Sequence, residues 1–338
     1  MIRVVVADDM EASLRLLEAI FALEPGFEIV GRARNGEEAV ELTRRLKPDL
    51  VTMDIEMPVM NGFDATLRIM TELPTPIVVV SGQDVNSVGF ALNAMKAGAL
   101  AVVPKPPAPG DPDFDAQARH LLTMARAMAG VNLLPRVQSP RPGAAAPEAR
   151  PQRTRARVVA IAASTGGPPA LSRILSELPA DFRAPLLVVQ HIAEGFAEGL
   201  AKWLGESSPL RVKVGDDGEP LAPGTVYLAP DRRHLGVKGD RIELSDAPPI
   251  EGFKPSGTYL FESVARSFGP AALGLILTGM GHDGVKGLAT LHAAGGTVVA
   301  QDKESSVIFG MNGEAVLGGL TDEVLPLDAL AYLLMQAV

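Results

Sequence analysis

Short continuous apolar runs alternate with stretches in which apolar residues recur three and four positions apart. Ile2–Ala7, Leu50–Met53, Ile77–Val80 and Ala101–Val103 read as buried strands, with a shorter one at Glu28–Gly31. Between them Met10–Leu23, Gly36–Leu46, Asp64–Leu73 and Asn86–Ala97 carry helical periodicity, and Phe114–Met128 adds a closing helix. Strand–helix alternation of this kind predicts an α/β fold with a doubly wound, parallel sheet. From Gly130 to Arg155 the pattern stops. Pro135, Pro140, Pro142, Pro147 and Pro151 stand among Ala, Gly and Arg, which cannot build a core and read as a solvated tether. Periodicity resumes with Val158–Ala163, Pro185–Gln190 and Ala272–Leu277, each followed by a helical pattern and therefore expected in parallel. The expected organisation is a domain over 1–128, a linker over 129–156 and a second α/β domain over 157–338.

Composition narrows the function classes. The 338 residues allow about two domains, and 47% hydrophobic against 21% charged residues gives each a core. A formal net charge of −9 argues against a general nucleic-acid binder. The absence of cysteine removes disulfides and thiolate metal sites. No apolar run reaches about 18 residues and the N-terminus starts as a strand, so no membrane insertion is expected and a cytoplasmic location is.

In a parallel sheet every strand ends on the same edge, and sites form there. On the first sheet that edge carries Asp8 and Asp9, Asp54, Ser81 and Lys105. Solvated loop carboxylates explain any one of these, not all five. Three converging carboxylates repel unless they share a cation. Oxygen ligands with open positions suit Mg2+, with Lys105 and Ser81 placed to hold a phosphoryl group.

On the second sheet Val158–Ala163 stops at Ser164, followed by Thr165-Gly166-Gly167-Pro168 and an amphipathic helix. A helix-capping serine, a phosphate site at a helix start and a nucleophile on a tight turn all fit this stretch. The dinucleotide and P-loop patterns fail, and Ala162 stands where a nucleophile elbow has its first glycine. The strand-edge argument adds His191, after Pro185–Gln190, and Asp283, in Thr278-Gly-Met-Gly-His-Asp-Gly284. Hydroxyl, imidazole and carboxylate on one edge are a nucleophile, a base and an orienting acid. Gly279 and Gly281 let the Met280 N–H approach a reacting carbonyl oxygen. His282 and His234, the latter expected on a loop, are weaker rivals as base or cleft residue. His120 and His292 lie in helices, and no pair has zinc spacing.

The first set resembles a response-regulator receiver, a flavodoxin-like (βα)5 domain. The resemblance makes Asp54 the phosphate acceptor, Asp8 and Asp9 the metal pair, Glu56 a backbone-carbonyl ligand, and Ser81 and Lys105 the phosphate contacts. Val102 stands where receivers usually carry an aromatic switch residue. With Ala163-Ser-Thr-Gly-Gly167, Gln190-His191-Ile192, Pro223-Gly-Thr-Val-Tyr227, Leu277–Gly284 and Ala300-Gln301-Asp302 beside Ser305-Ser306, the whole chain resembles the chemotaxis protein-glutamate methylesterases, CheB. That resemblance implies a Ser164–His191–Asp283 triad, with Met280 and Thr165 as oxyanion donors and no cofactor in the catalytic domain. It implies hydrolysis of glutamate γ-methyl esters, and glutamine deamidation, on chemoreceptor cytoplasmic helices. It also implies phosphorylation by a chemotaxis-type histidine kinase that relieves inhibition by the receiver. Gly252–Thr258 and Met311–Glu314 depart from flagellar members and point to a paralogue in another chemosensory pathway. An adaptor with an idle triad is the competing reading. A DNA-binding regulator would need a basic helix-turn-helix that the second half lacks.

Overall fold

The computed structural model describes residues 1–82, 88–131, 155–192 and 194–338. Most of the expected linker, with Arg136, Arg141, Arg150 and Arg153, lies outside them, as does the expected start of a helix at Asn86. Contacts divide the chain into two compact units, 1–133 and 134–338.

The first unit runs β1 (Ile2–Ala7), α1 (Glu11–Ala22), β2 (Phe27–Ala33), α2 (Gly36–Leu46), β3 (Leu50–Met53), α3 (Gly62–Glu72), β4 (Ile77–Ser81), α4 (Val88–Ala97), β5 (Ala101–Pro104) and α5 (Phe114–Ala129). Its strands pair in the order β2-β1-β3-β4-β5, all parallel. β3 and β4 are buried along their whole length, which is why they read as unbroken apolar runs. Side chains start the helices. Asn35 accepts from the Glu38 N–H at 2.9 Å and Asn61 from the Asp64 N–H at 2.9 Å, so α3 begins two residues before the expected Asp64. Strand order reverses between β1 and β3, which leaves a crevice at their C-terminal ends.

The second unit runs β6 (Val158–Ala163), α6 (Gly167–Glu177), β7 (Leu186–Gln190), α7 (Ala197–Ser207), β8 (Arg211–Val214), β9 (Thr225–Leu228), β10 (His234–Lys238), β11 (Arg241–Ser245), α8 (Gly257–Phe268), β12 (Ala272–Ile276), α9 (Val285–Ala293), β13 (Thr297–Gln301), α10 (Met311–Leu317), β14 (Glu323–Leu325) and α11 (Leu327–Ala337). Seven parallel strands pair as β14-β13-β12-β6-β7-β9-β8. The chain winds outward from β6 in one direction, then returns to β12 on its other flank. The switch point therefore lies between β6 and β12, and their C-terminal ends are Ser164 and the Leu277–Gly284 loop. Val158, Ala160 and Ala162 pack one face of β6 into a core with Leu260, Phe261 and Leu288 of α8 and α9.

β10 and β11 form an antiparallel hairpin outside the main sheet. His234 opens β10 and is fully buried, its ring stacked 4.8 Å from Tyr259, so it neither sits on a loop nor lines a cleft. Among the described residues no helix is long and apolar enough to cross a membrane.

Candidate active site

Ser164 leaves β6 with its N–H on the Thr278 carbonyl (3.0 Å), and its own carbonyl accepts from the Gly167 N–H (2.8 Å). The turn passes through Gly166 at φ 80°, which also serves as N-cap of α6 without a side-chain bond, so Ser164 caps nothing. Pro168 and Pro169 follow in the first turn, where a missing N–H costs no hydrogen bond. A side chain at Gly279 would bring its Cβ to 2.6 Å from that of Ser164; only glycine lets the β12 loop lie so close to the serine.

His191 follows β7, and its N–H donates to the Ala163 carbonyl at 2.9 Å, directly beside Ser164. The Gln190 amide ties the two residues together by donating to the carbonyls of both Ser164 (2.8 Å) and His191 (2.9 Å). The imidazole meets Asp283 through Nε2, 2.8 Å from Oδ2, while Nδ1 is buried without a hydrogen-bond partner. A neutral ring facing a carboxylate carries its proton on the bonded nitrogen, here Nε2. Nδ1 is then the atom with a lone pair free to accept a proton.

Asp283 is fully buried and every bond to it comes from a donor. Oδ2 also accepts from the Gly257 N–H (2.6 Å); Oδ1 accepts from the Ser256 hydroxyl (2.6 Å) and the Thr258 N–H (3.2 Å). The carboxylate thus sits on the N-terminus of α8, where unpaired N–H groups and the helix dipole favour negative charge. Burial pushes its pKa up, but the bonds from His191, Ser256 and Gly257 outweigh this and hold it below the ordinary 3.8. The neighbouring His282 points elsewhere, exposed and 3.3 Å from Glu251.

The N–H groups of Met280 and Thr165 have no hydrogen-bond partner among the described residues. The loops that present them are braced. Thr278 donates its hydroxyl to the Thr165 carbonyl (2.9 Å), and the Gln301 side chain accepts from the Thr278 N–H (3.0 Å). A cleft lined by Gln190, Ile192, Glu194, Arg232, Lys254 and Pro255 opens at this end of β7.

On the first unit, one oxygen from each of Asp8, Asp9 and Asp54 lies within 4.8 Å of the others. Lys105 Nζ stands 2.6 Å from Asp8 and 3.1 Å from Asp54, and the backbone N–H of Lys105 donates to the Ser81 carbonyl at 2.8 Å. Glu56 follows in the β3–α3 loop with its side chain exposed. Burial raises the Asp54 pKa, and the charge of Asp8 adds to it; Lys105 and the Ile55 N–H only partly offset them. Burial pulls the Lys105 pKa down, but Asp8 and Asp54 more than reverse this and keep it charged. Three carboxylates against one lysine leave an excess of negative charge with oxygen donors only, a donor set that fits a hard divalent cation.

Residues 4–111 match the response regulator receiver domain, and residues 159–334 match the CheB methylesterase family. A Myxococcus xanthus protein named protein-glutamate methylesterase/protein-glutamine glutaminase 4 is 54% identical, over 99% of this chain and 97% of its own. The chain belongs to the CheB methylesterase family. The similarly named paralogue 3 of Anaeromyxobacter dehalogenans is 53% identical over 98% of this chain and 97% of its own. The crystal structure of the Thermotoga maritima CheB methylesterase catalytic domain superposes with a TM-score of 0.53 at 38% identity, covering 54% of this chain and 99% of that one.

Within this CheB fold, motif reasoning supplied the strand-end residues and missed their supports. Ser256, Gly257 and Thr258 hold Asp283 from about 25 positions away, and Phe253 covers the His191 ring. Their one signal was that Gly252–Thr258 departs from the flagellar pattern.

Proposed function

We propose that this chain is a receiver-controlled serine esterase that hydrolyses glutamate γ-methyl esters, and deamidates glutamines, on the cytoplasmic helices of chemoreceptors. Residues 1–128 form the receiver, 129–156 the linker and 157–338 the catalytic domain. The observation that carries this reading is the His191 Nε2–Asp283 bond beside Ser164, which leaves Nδ1 bare. In this mechanism Ser164 Oγ attacks the γ-carbonyl carbon and its proton passes to Nδ1. The Met280 N–H, with that of Thr165, takes the developing oxyanion. Collapse breaks the ester C–O bond; Nδ1–H protonates the departing methoxide, and methanol leaves. Water then attacks the glutamyl–Ser164 ester and gives a proton to Nδ1; as the C–Oγ bond breaks, Nδ1–H returns that proton to Ser164 Oγ, and the freed glutamic acid ionises to its carboxylate. For a glutamine side chain the leaving group is ammonia.

Control comes from the first unit. Asp54 accepts a phosphoryl group from a chemotaxis-type histidine kinase, and Lys105 and Ser81 contact it. Asp8, Asp9, Asp54 and the Glu56 carbonyl would hold Mg2+, which would neutralise phosphoryl charge when bound. A cytoplasmic location belongs to this reading, since the receptor helices it acts on lie there. The test is release of labelled methanol from a methyl-labelled receptor in a single turnover. Release that disappears in Ser164→Ala supports the reading. No release from the wild-type chain leaves an adaptor with an idle triad.

A further inference from the structure

A single hydrogen bond from Nε2 fixes one end of the His191 ring and leaves its plane free to tip about that bond. The opposite constraint is a face contact. The Phe253 ring lies parallel to the imidazole, 4.3 Å between centroids and 9° between planes. Phe253 is itself placed without help from His191. Ile250 and Phe253 exchange both backbone hydrogen bonds, at 3.0 and 2.9 Å, across a tight turn at Glu251 and Gly252, both at positive φ. Glu251 is not glycine, so that turn is strained; its side chain is tied to Lys286 and His282. On the far side of the turn the Lys254 ammonium donates to the Asp246 carbonyl (2.8 Å), and His234 bonds the Pro248 carbonyl (3.1 Å). The same run continues into Ser256, Gly257 and Thr258, which grip Asp283. One strap, Ile250–Thr258, therefore fixes the imidazole by its face and the carboxylate by three donors.

We propose that Phe253 is a positioning residue for His191: its ring holds the imidazole plane so that Nε2 stays on Asp283 and Nδ1 stays free to act as base. The proposal rests on the Ser164–His191–Asp283 reading. Its test compares Phe253→Ala, Phe253→Leu and Phe253→Tyr in the full chain, by kcat and KM on methylated receptor and by nitrogen NMR of the His191 ring. Phe253→Ala is expected to lower kcat about 10–100-fold, the size of effect that a misplacement near 1 Å produces, with little change in KM. The two ring-nitrogen signals, distinct in the wild type, should move towards averaging. Phe253→Tyr keeps a flat face and should recover both; Phe253→Leu fills the space without one and should stay slow. A raised KM at unchanged kcat would make Phe253 a substrate wall instead. Recovery by leucine as full as by tyrosine, or wild-type nitrogen signals in Phe253→Ala, would also overturn the proposal. Leucine and tyrosine both fill the site, so the comparison holds even if the alanine variant folds poorly. His191→Ala, measured alongside, separates the failures. If it stays active the triad reading falls; if it is inactive while Phe253→Ala matches wild type, only this proposal falls.

Discussion

Asp54 and Asp283 each follow a buried parallel strand beside a topological switch point, and each is itself buried, yet their protons are held in opposite ways. Asp283 collects four donors and the start of a helix, and its pKa falls below the usual value. Asp54 has the Ile55 N–H and a lysine that it shares with Asp8, and its pKa rises. A carboxylate with every lone pair engaged is locked in place, which suits a group that orients a histidine through many turnovers. A carboxylate left short of donors is reactive and hungry for positive charge, which suits a group that accepts a phosphoryl beside a cation. The same fold rule brings both to a strand end; the number of donors suits each to the separate task proposed for it.

The largest effects fall on the locked side. Ser164→Ala and His191→Ala should each lower kcat by about 10⁴–10⁶-fold, and the double variant by little more, because a nucleophile and its base act as a unit. Additive losses in methanol release would break the assignment. Asp283→Asn should cost about 10²–10⁴-fold, since an amide must set NH2 hydrogens against the Ser256, Gly257 or Thr258 donors or against His191.

Stability against pH sharpens the contrast between the two carboxylates. The lowered pKa of Asp283 means that its ionised form stabilises the catalytic unit. That contribution is complete above the unfolded value near 3.8 and is lost as pH falls through the lower folded value. Asp54 runs the other way. Its folded pKa lies above 3.8, so its ionised form costs stability at neutral pH, and the cost is relieved as pH drops through the raised value. Asp54→Asn should therefore raise amide-exchange protection in the receiver at neutral pH while abolishing phosphorylation. Asp283→Asn should lower protection in the catalytic unit. Equal signs for the two would refute the contrast. Phosphorylation of the wild-type receiver by a small phosphodonor should also fail in EDTA.

What the sequence made legible follows the same division. Strands buried on both faces, such as Val158–Ala163 and Ala272–Ile276, advertise themselves as unbroken apolar runs, and the residues that end them become visible with them. The hairpin β10–β11 went unread although Leu235 and Val237 alternate with Gly236 and a Gly239-Asp240 turn follows, a period-two signal masked by the charged residues around it. The supports of Asp283 had no periodic signal at all. Ser256, Gly257 and Thr258 are small residues at the cap and first turn of α8, and only the three-dimensional approach of α8 to the β12 loop gives them a partner.

The smallest effect is expected at Val102, where the receiver lacks an aromatic. Val102 is half-buried against a cluster of Ile55, Val79, Phe90, Ala94 and Ala99, with Phe63 alongside. Its side chain is short and branched and has no alternative position of different exposure to swing into, so it packs and does not switch. Truncation to alanine removes two methyl groups from a partly exposed site, a loss of about 1 kcal/mol. In the proposed control, the route left for the signal starts at Ser81, which ends β4 and whose carbonyl accepts from the Lys105 backbone N–H. A tenfold activation needs only about 1.4 kcal/mol of preference between two receiver states, within reach of the phosphate contacts of Ser81 and Lys105. Val102→Ala should therefore be phosphorylated and activated almost as the wild type, whereas Ser81→Ala should be phosphorylated and fail to activate. Methanol release from these two variants, with and without phosphodonor, checks both. Lost activation in Val102→Ala with normal labelling would mean that the valine itself carries the signal. The donor-poor site around Asp54 would then move through its packed core and not through its hydroxyl loop.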